Sequence, residues 1–407
     1  MSTEDLTRPS DRATAGPAGA GATAHGGAGR PPGTARGGGR LPTLTGLRFP
    51  AALLVFLFHA ALPLSDMRIL ADDGTADWFY AFAAQSGGLG VTFFFVLSGF
   101  ILTWSARDGD PARAFWRRRY AKIVPVYLVS WFLALLLVDL SATEVWQAVV
   151  TLFMVQSWVP DLSTNFAVNN PGWSLSTEAF FYLCFPAFYP AVKRISEHRL
   201  KYWIAGTVAA IAATPLITYA LIPVGTEVVP NEPTDSANYF WFAYIFPPAR
   251  LLDFVLGILV ARAVLAGRWR DIGMAWSSAL LVASYVAASF TPLLYGLRVM
   301  CVVPAALLIA AGALADTEGR KTLFSHRAAT WLGEVSFAFY LVHYTVLTFV
   351  RESLGDRMLS TPMGVAVLIA EAAVSLLLAW ALYARVERPL TRRWSKSRKT
   401  DRRARSA

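Results

Sequence analysis

Ten stretches of about 20 mostly apolar residues run through this chain of 407 residues, and about 20 is the number of helical residues that cross the hydrocarbon core of a bilayer. They cover residues 44–64, 88–104, 123–138, 173–192, 202–222, 239–264, 274–290, 297–315, 331–350 and 363–384. Inside hydrocarbon a backbone amide has no water to bond, so such runs are expected to be helical. The fold class that follows is all-α: a polytopic integral membrane protein with about ten transmembrane helices. Composition agrees, with only 16% charged residues where a soluble domain carries about 25%. An eleventh stretch, residues 145–159, is too short and too polar to span and reads as a re-entrant or interfacial piece.

The basic residues set the orientation. Counted in order, with the run ends that border them, the even gaps between runs hold sixteen Lys and Arg and the odd gaps hold four: Arg68, Arg298, Arg351 and Arg357. Two odd gaps, 139–172 and 223–238, hold none. Basic residues are retained on the cytoplasmic side, so the even gaps are expected there. From Arg385 onward ten more basic residues follow, which puts the C-terminus in the cytoplasm as well. An even number of spans then leaves both termini cytoplasmic at the cell membrane. The net charge of +10 reflects this topology and contact with anionic lipid headgroups, and no nucleic-acid partner is implied.

Residues 1–42 are a different material, rich in Gly, Ala, Pro, Thr and Arg. Such a segment buries too little surface to offset its ordering entropy and is expected as a disordered cytoplasmic tail. Residues 43–390 form the membrane domain and 391–407 a basic cytoplasmic tail. The two cysteines, Cys184 and Cys301, both fall inside apolar runs, without metal-ligand spacing, and read as small core residues.

Ionisable groups inside a bilayer are costly and usually face a cavity. Here they are Arg48, His59, Glu178, Arg250, Asp253, Glu334, His343 and Glu371. Arg48 and His59 stand eleven residues apart on the first run. On a helix that is three turns plus about 20°, with an axial separation of about 16 Å. A cation at the mouth suits a phosphate, and a histidine deeper in suits proton transfer. The plainer alternative is a snorkelling arginine and a histidine bonded to a neighbouring helix. Arg250 and Asp253, three apart, can neutralise one another or hold an anionic ligand between them. Glu178 follows Asn-Asn-Pro-Gly-Trp-Ser-Leu-Ser, where Ser174 or Ser176 can cap a helix start and an acidic first turn suits the dipole. Glu371 needs a partner from another helix or a proton.

These segments together resemble the acyltransferase 3 family of membrane acyltransferases. Leu44-Thr-Gly-Leu-Arg48 through Phe58-His59 is similar to the family's first helix, with its arginine and histidine eleven residues apart. Gly90-Val-Thr-Phe-Phe-Phe-Val-Leu-Ser98-Gly99-Phe100 resembles its second helix, and Phe115-Trp-Arg-Arg-Arg-Tyr-Ala-Lys122-Ile-Val-Pro125 the basic loop after it. Trp173-Ser-Leu-Ser-Thr-Glu178-Ala-Phe-Phe-Tyr182, Arg250-Leu-Leu-Asp253, Ser336-Phe-Ala-Phe-Tyr340-Leu-Val-His343 and Val386-Glu387-Arg388-Pro389 also match, in family order. One position departs from the pattern. Lys122 stands where the family has a second arginine, which keeps the charge and loses the bidentate fork.

The resemblance implies transfer of an acyl group, acetyl by default, from acyl-CoA to a hydroxyl, often on a sugar. Acyl-CoA would be co-substrate and no metal would be needed. The phosphates of CoA would meet Arg48, Arg117, Arg118, Arg119 and Lys122, near Ser98 and Gly99. His59 would act as general base, with His343 the alternative base, and Glu178 would orient the histidine or bind the acceptor. Trp173, Arg250 and Asp253 would lie on the acceptor side. Cell-surface glycans and macrolide-type natural products both remain open as acceptors, and the oligomeric state is not legible. The rival reading is a glycolipid or small-molecule flippase or exporter, which would use membrane charges without acyl transfer.

Overall fold

The structure, a computed structural model, describes residues 39–63, 67–107, 109–226 and 236–395. The described residues form one compact unit. Most of the tail expected over 1–42 lies outside the described residues, as do residues 396–407 of the C-terminal tail.

The helices in chain order are α1 (Pro42–Ala61), α2 (Asp73–Ala83), α3 (Ser86–Trp104), α4 (Ala112–Leu137), α5 (Val145–Leu152), α6 (Leu162–Phe166), α7 (Gly172–Lys193) and α8 (Leu200–Leu221). After them come α9 (Ala237–Phe240), α10 (Pro247–Leu265), α11 (Gly273–Ala288), α12 (Met300–Thr317), α13 (Arg327–Leu354), α14 (Thr361–Leu382) and α15 (Arg388–Ser395). Each of the ten apolar runs is helical for most of its length. Among the described residues seven helical segments are long and apolar enough to cross a membrane. The other three runs are α7 and α10, which carry charged residues at their centre or ends, and the 16-residue α11. The protein is an all-α polytopic membrane protein. Its helices turn Leu136, Ile369 and Leu377 outward at 80%, 66% and 63% exposure. Apolar faces of that extent are stable against lipid and costly against water.

Three details depart from the sequence reading. The run 239–264 is not one helix. Its chain turns at Phe246, ahead of Pro247 and Pro248, because proline has no amide hydrogen to continue the ladder and its ring clashes with the preceding turn. Leu41, expected in the tail, is buried against the bundle, and Trp104 Nε1 donates to the Gly39 carbonyl at 3.3 Å. At the other end α15 carries helix to residue 395, five residues into the expected tail. Residues 145–159 do form a short helix, α5, and a single 3-10 turn. Tyr127 and Trp131 of α4 tie it down through Thr151.

Close crossings bring the central helices together. A Cβ on Gly99 of α3 would stand 2.0 Å from the Phe254 carbonyl oxygen, and one on Gly257 of α10 would stand 2.0 Å from that of Val96. Side chains at either point would force α3 and α10 apart, as at other small-residue crossings in membranes. Gly333 of α13 has the same relation to Thr45 of α1, at 1.8 Å. The result is a bundle in which α1 lies between α3 and α13 over most of its length.

Candidate active site

α1 turns both Arg48 and His59 toward α13. Arg48 shares a cavity with Phe337 and Tyr340 of that helix. Three turns further along, His59 Nδ1 lies 2.9 Å from His343 Nε2. Both imidazoles are buried, His343 completely. The donor and acceptor roles follow from the next bond. His343 Nδ1 sits 3.3 Å from the carbonyl oxygen of Phe339, which can only accept. Nδ1 of a neutral His343 is therefore the protonated nitrogen, and Nε2 is left to accept from His59 Nδ1. In that arrangement the second nitrogen of His59, Nε2, carries the lone pair. The rings are packed by Phe56, stacked on by Phe339, and met edge-on by Tyr344. The two histidines that the sequence offers as alternative bases are thus one hydrogen-bonded pair.

A third side chain, Asn170, stands beside His59. It comes from the loop before α7, where Val168 has φ +64°. A β-branched residue in the left-handed region is strained by roughly 1–3 kcal/mol. The turn it makes brings two asparagines to the bundle: Asn169 Nδ2 donates to the Leu341 carbonyl of α13 at 2.9 Å, and Asn170 meets His59. Sequence reasoning missed both. The available signal was the polar Asn-Asn-Pro-Gly immediately before an apolar run.

The Arg48 end of this face opens into a cavity of about 300 Å³ between α1, α3, α4, α7 and α13. Arg48, Arg119 and Lys122 line it together with Ser98, Glu178, Tyr182 and Tyr340. The expected basic loop is in fact the start of α4, so its residues fan around a helix. Arg119 and Lys122, three apart, share one side. Arg118 pairs with Asp110 and faces a second, adjoining cavity. Arg117 is exposed and lines neither cavity, since residues two apart on a helix point in nearly opposite directions. The structure thus keeps Arg117 apart from the other residues expected to meet the donor's phosphates.

Glu178 does not cap its helix. α7 begins at Gly172, its N-cap Pro171 makes no side-chain bond, and Ser174 Oγ instead reaches the Tyr340 hydroxyl at 2.7 Å. Glu178 lies in the second turn. Its Oε1 accepts from Ser98 Oγ at 2.9 Å and from Tyr182 OH at 2.6 Å, one turn along the same helix. The hydrogen-bond partner of His59 is His343, whereas Glu178 is bonded to Ser98 and Tyr182 on the wall of the cationic cavity. Tyr340 links the two places: it lines the cavity and its ring centroid is 5.9 Å from that of His343.

Several expected site residues are elsewhere. Gly99 lies at the α3–α10 crossing and has no part in lining the cavity. Trp173 is a core side chain, set edge-on against Phe95 and tilted against Tyr244. Arg250 and Asp253 are wholly buried and 3.2 Å apart. Asp253 also takes Arg298 at 3.0 Å, so Arg298, counted by its place in sequence among outer-gap residues, is a buried partner. Arg250 further donates to Thr92 at 3.0 Å and lies over the faces of Phe95 and Tyr244. Arg250 and Asp253, expected on the acceptor side, are in the structure a mutually neutralising pair that lines neither of these two cavities. Glu334 bonds the Tyr383 hydroxyl at 2.8 Å. Glu371 is buried on α14, and its Oε2 has no hydrogen-bond partner among the described residues.

Comparison with known proteins adds to this geometry. A family model described as an acyltransferase domain matches residues 41–384. The chain is 40% identical over 367 residues to the acyltransferase MdmB of Streptomyces mycarofaciens, covering 87% of this chain and 92% of that protein. It is 24% identical over 335 residues to the peptidoglycan O-acetyltransferase OatA of Listeria monocytogenes, and 25% identical over 332 residues to the putative peptidoglycan O-acetyltransferase YrhL of Bacillus subtilis. In those two cases 76% and 75% of this chain aligns with 49% and 48% of the relative. No solved structure matches.

Proposed function

From the premise that the chain belongs to the acyltransferase 3 family and is an acyltransferase, we propose that it moves an acyl group, acetyl by default, from acyl-CoA to a hydroxyl of a carbohydrate or of a glycosylated or macrolide natural product. Family membership also decides against a carrier without chemistry. The observation that carries the detailed reading is the bond between His59 Nδ1 and His343 Nε2, which leaves His59 Nε2 as the basic nitrogen. The acceptor hydroxyl gives its proton to Nε2 while its oxygen attacks the thioester carbonyl. The carbon–sulfur bond then breaks, and the departing thiolate takes the proton back from the imidazolium. His343 holds the ring in place. General-base help of this kind is worth about 10²–10⁴-fold, and holding donor and acceptor together supplies the proximity contribution.

The cationic cavity supports an anionic donor. Arg48, Arg119 and Lys122 converge there, with Glu178 the one acidic side chain on its wall among the described residues. The distance along α1 from Arg48 to His59, about 16 Å, is comparable with the reach of a pantetheine arm. Both described ends of the chain gather at the Arg48 end: Trp104 holds Gly39, and Arg388 and Arg392 share an opening with Arg48 and Lys122. With the even-gap basic residues, that supports a cytoplasmic Arg48 end, where acyl-CoA is available. The test is to incubate membranes carrying the protein with labelled acetyl-CoA and candidate hydroxyl acceptors. Label should pass to the acceptor only with intact His59. Absence of transfer from any acyl-CoA to any hydroxyl acceptor would sink the proposal.

A further inference from the structure

Acyl transfer at His59 leaves a negative charge on the thioester oxygen, and an oxyanion in a buried site is costly until a donor meets it. The residues of the site fall into three layers, each about one helical turn from the next. The deepest holds the His59–His343 pair with Asn170 beside it. The layer at the mouth holds Arg48, Arg119, Lys122 and Glu178. Between them stand Ser174, in the first turn of α7, and Tyr340 of α13, with their hydroxyl oxygens 2.7 Å apart. Ser174 is four residues before Glu178 on α7, about 6 Å of rise, and Tyr340 is three residues before His343 on α13, about 4.5 Å. Tyr340 lines the first cavity. Among the described residues, each other hydroxyl on that wall is committed. Thr45 donates to the Leu41 carbonyl, and Ser98 and Tyr182 both donate to Glu178. Ser174 Oγ has one proton and two acceptors in reach, the Pro171 carbonyl at 2.9 Å and the Tyr340 oxygen at 2.7 Å. Given to Tyr340, at the shorter contact, that proton leaves the phenol hydrogen free to point into the cavity. A hydroxyl that accepts one hydrogen bond also donates a stronger one.

A donor with its anionic head at the mouth and its acyl end at His59 carries its thioester carbonyl into the middle layer. We propose that Tyr340 is a catalytic residue, whose hydroxyl donates to the thioester carbonyl oxygen and holds the oxyanion, with Ser174 as its positioning residue; this rests on the acyl-CoA donor and the His59 base assigned above. As the acceptor oxygen bonds the carbonyl carbon and its proton passes to His59 Nε2, the π pair of the carbonyl moves onto oxygen. There the Tyr340 O–H meets it, and the phenol keeps its proton throughout. The pair then returns to the carbonyl, the carbon–sulfur bond breaks, and the thiolate takes the proton from His59. The start of α7, the positive end of its dipole, lies beside the same oxygen and favours the same charge.

The test measures kcat and KM for acetyl-CoA, per folded protein, in the full-length chain. Tyr340→Phe keeps the ring against Phe94 and removes only the O–H. Its kcat falls about 10²–10³-fold, while the KM for acetyl-CoA stays close to wild type, as for an interaction made only in the transition state. Ser174→Ala leaves the phenol in place but free to turn; it lowers kcat less and likewise spares KM. Replacing Tyr340 by 3-fluorotyrosine, a stronger donor of nearly the same size, keeps kcat at the wild-type value or above it. Because the 3-fluorotyrosine protein retains the packing and the hydroxyl, it also answers the question if Tyr340→Phe fails to fold. A loss of kcat with 3-fluorotyrosine overturns the proposal, since a weaker acceptor and not a weaker donor would then be the cause. A raised KM with unchanged kcat in Tyr340→Phe overturns it in favour of a bond to an amide of the pantetheine arm. Unchanged kcat and KM with lower accumulation reduce the Tyr340–Ser174 bond to a joint between helices. A wild type inert with every acyl-CoA overturns the donor assignment, and this role with it.

Discussion

The bundle holds two clusters built around i, i+3 pairs of charged residues, and they have opposite characters. On α10, Arg250 and Asp253 are closed in with Arg298. Arg298 reaches Asp253 and the carbonyls of Ala243 and Ala249. Arg250 has Asp253, Thr92 and two aromatic faces. On α4, Arg119 and Lys122 stand with Arg48 around an open cavity. Its acidic wall residue, Glu178, is already engaged by Ser98 and Tyr182, and Glu387 approaches Arg48 and Lys122 from the neighbouring opening. Spacing alone does not separate the two clusters. What separates them is where the charge goes: into fixed partners, which makes a joint, or into a space, which makes a binding site.

The sharpest way to break the comparison is at the far end of the open face. His59→Ala should lower acyl transfer by about 10²–10⁴-fold with membrane levels close to wild type, read by single-turnover assays normalised to protein. Near-normal turnover in His59→Ala, with His343→Ala inactive, would move the base to the other helix. Normal turnover in both would remove the histidine mechanism.

At the closed cluster the effect should fall on stability. Asp253→Ala leaves two arginines buried without their shared carboxylate and should cost about 3–5 kcal/mol. That should be visible as lost accumulation and a lower melting temperature in detergent, while the surviving folded fraction keeps its kcat/KM. A well-folded but inactive Asp253→Ala protein would make the triad part of the site.

Within the open cluster, Arg48→Ala should raise the apparent KM for acyl-CoA about tenfold, and more than it lowers kcat, as for loss of a binding contact. An unchanged KM in a well-expressed variant would reduce Arg48 to an anchor at the interface. The smallest effect is expected at Arg117, on the outer side of α4. Arg117→Ala should change stability and donor KM by no more than about 0.5 kcal/mol equivalent. A KM shift like that of Arg48→Ala would mean that the donor site wraps around the helix.

Much of this protein was legible in one dimension. The ten runs, the alternation of basic gaps and the pairing of Arg48 with His59 all depend on periodicity and local chemistry, which a linear chain carries in full. The family motifs were legible for the same reason, since each is a short contiguous segment. What sequence could not decide was which buried charge meets which. Arg250 and Asp253 read either as joint or as ligand until Arg298, 45 residues further on, closed the pair. His59 and His343 read as competitors until a contact between residues 284 apart made them one unit. Gly99 read as part of a motif until the backbone of α10 came within van der Waals distance of it. Arg117, Arg118 and Arg119 read as one block until a helix turned them to three sides. In each case the deciding quantity is a distance between segments far apart in the chain. Only the packing of helices against one another sets that distance, because local propensity carries no record of which faces will meet.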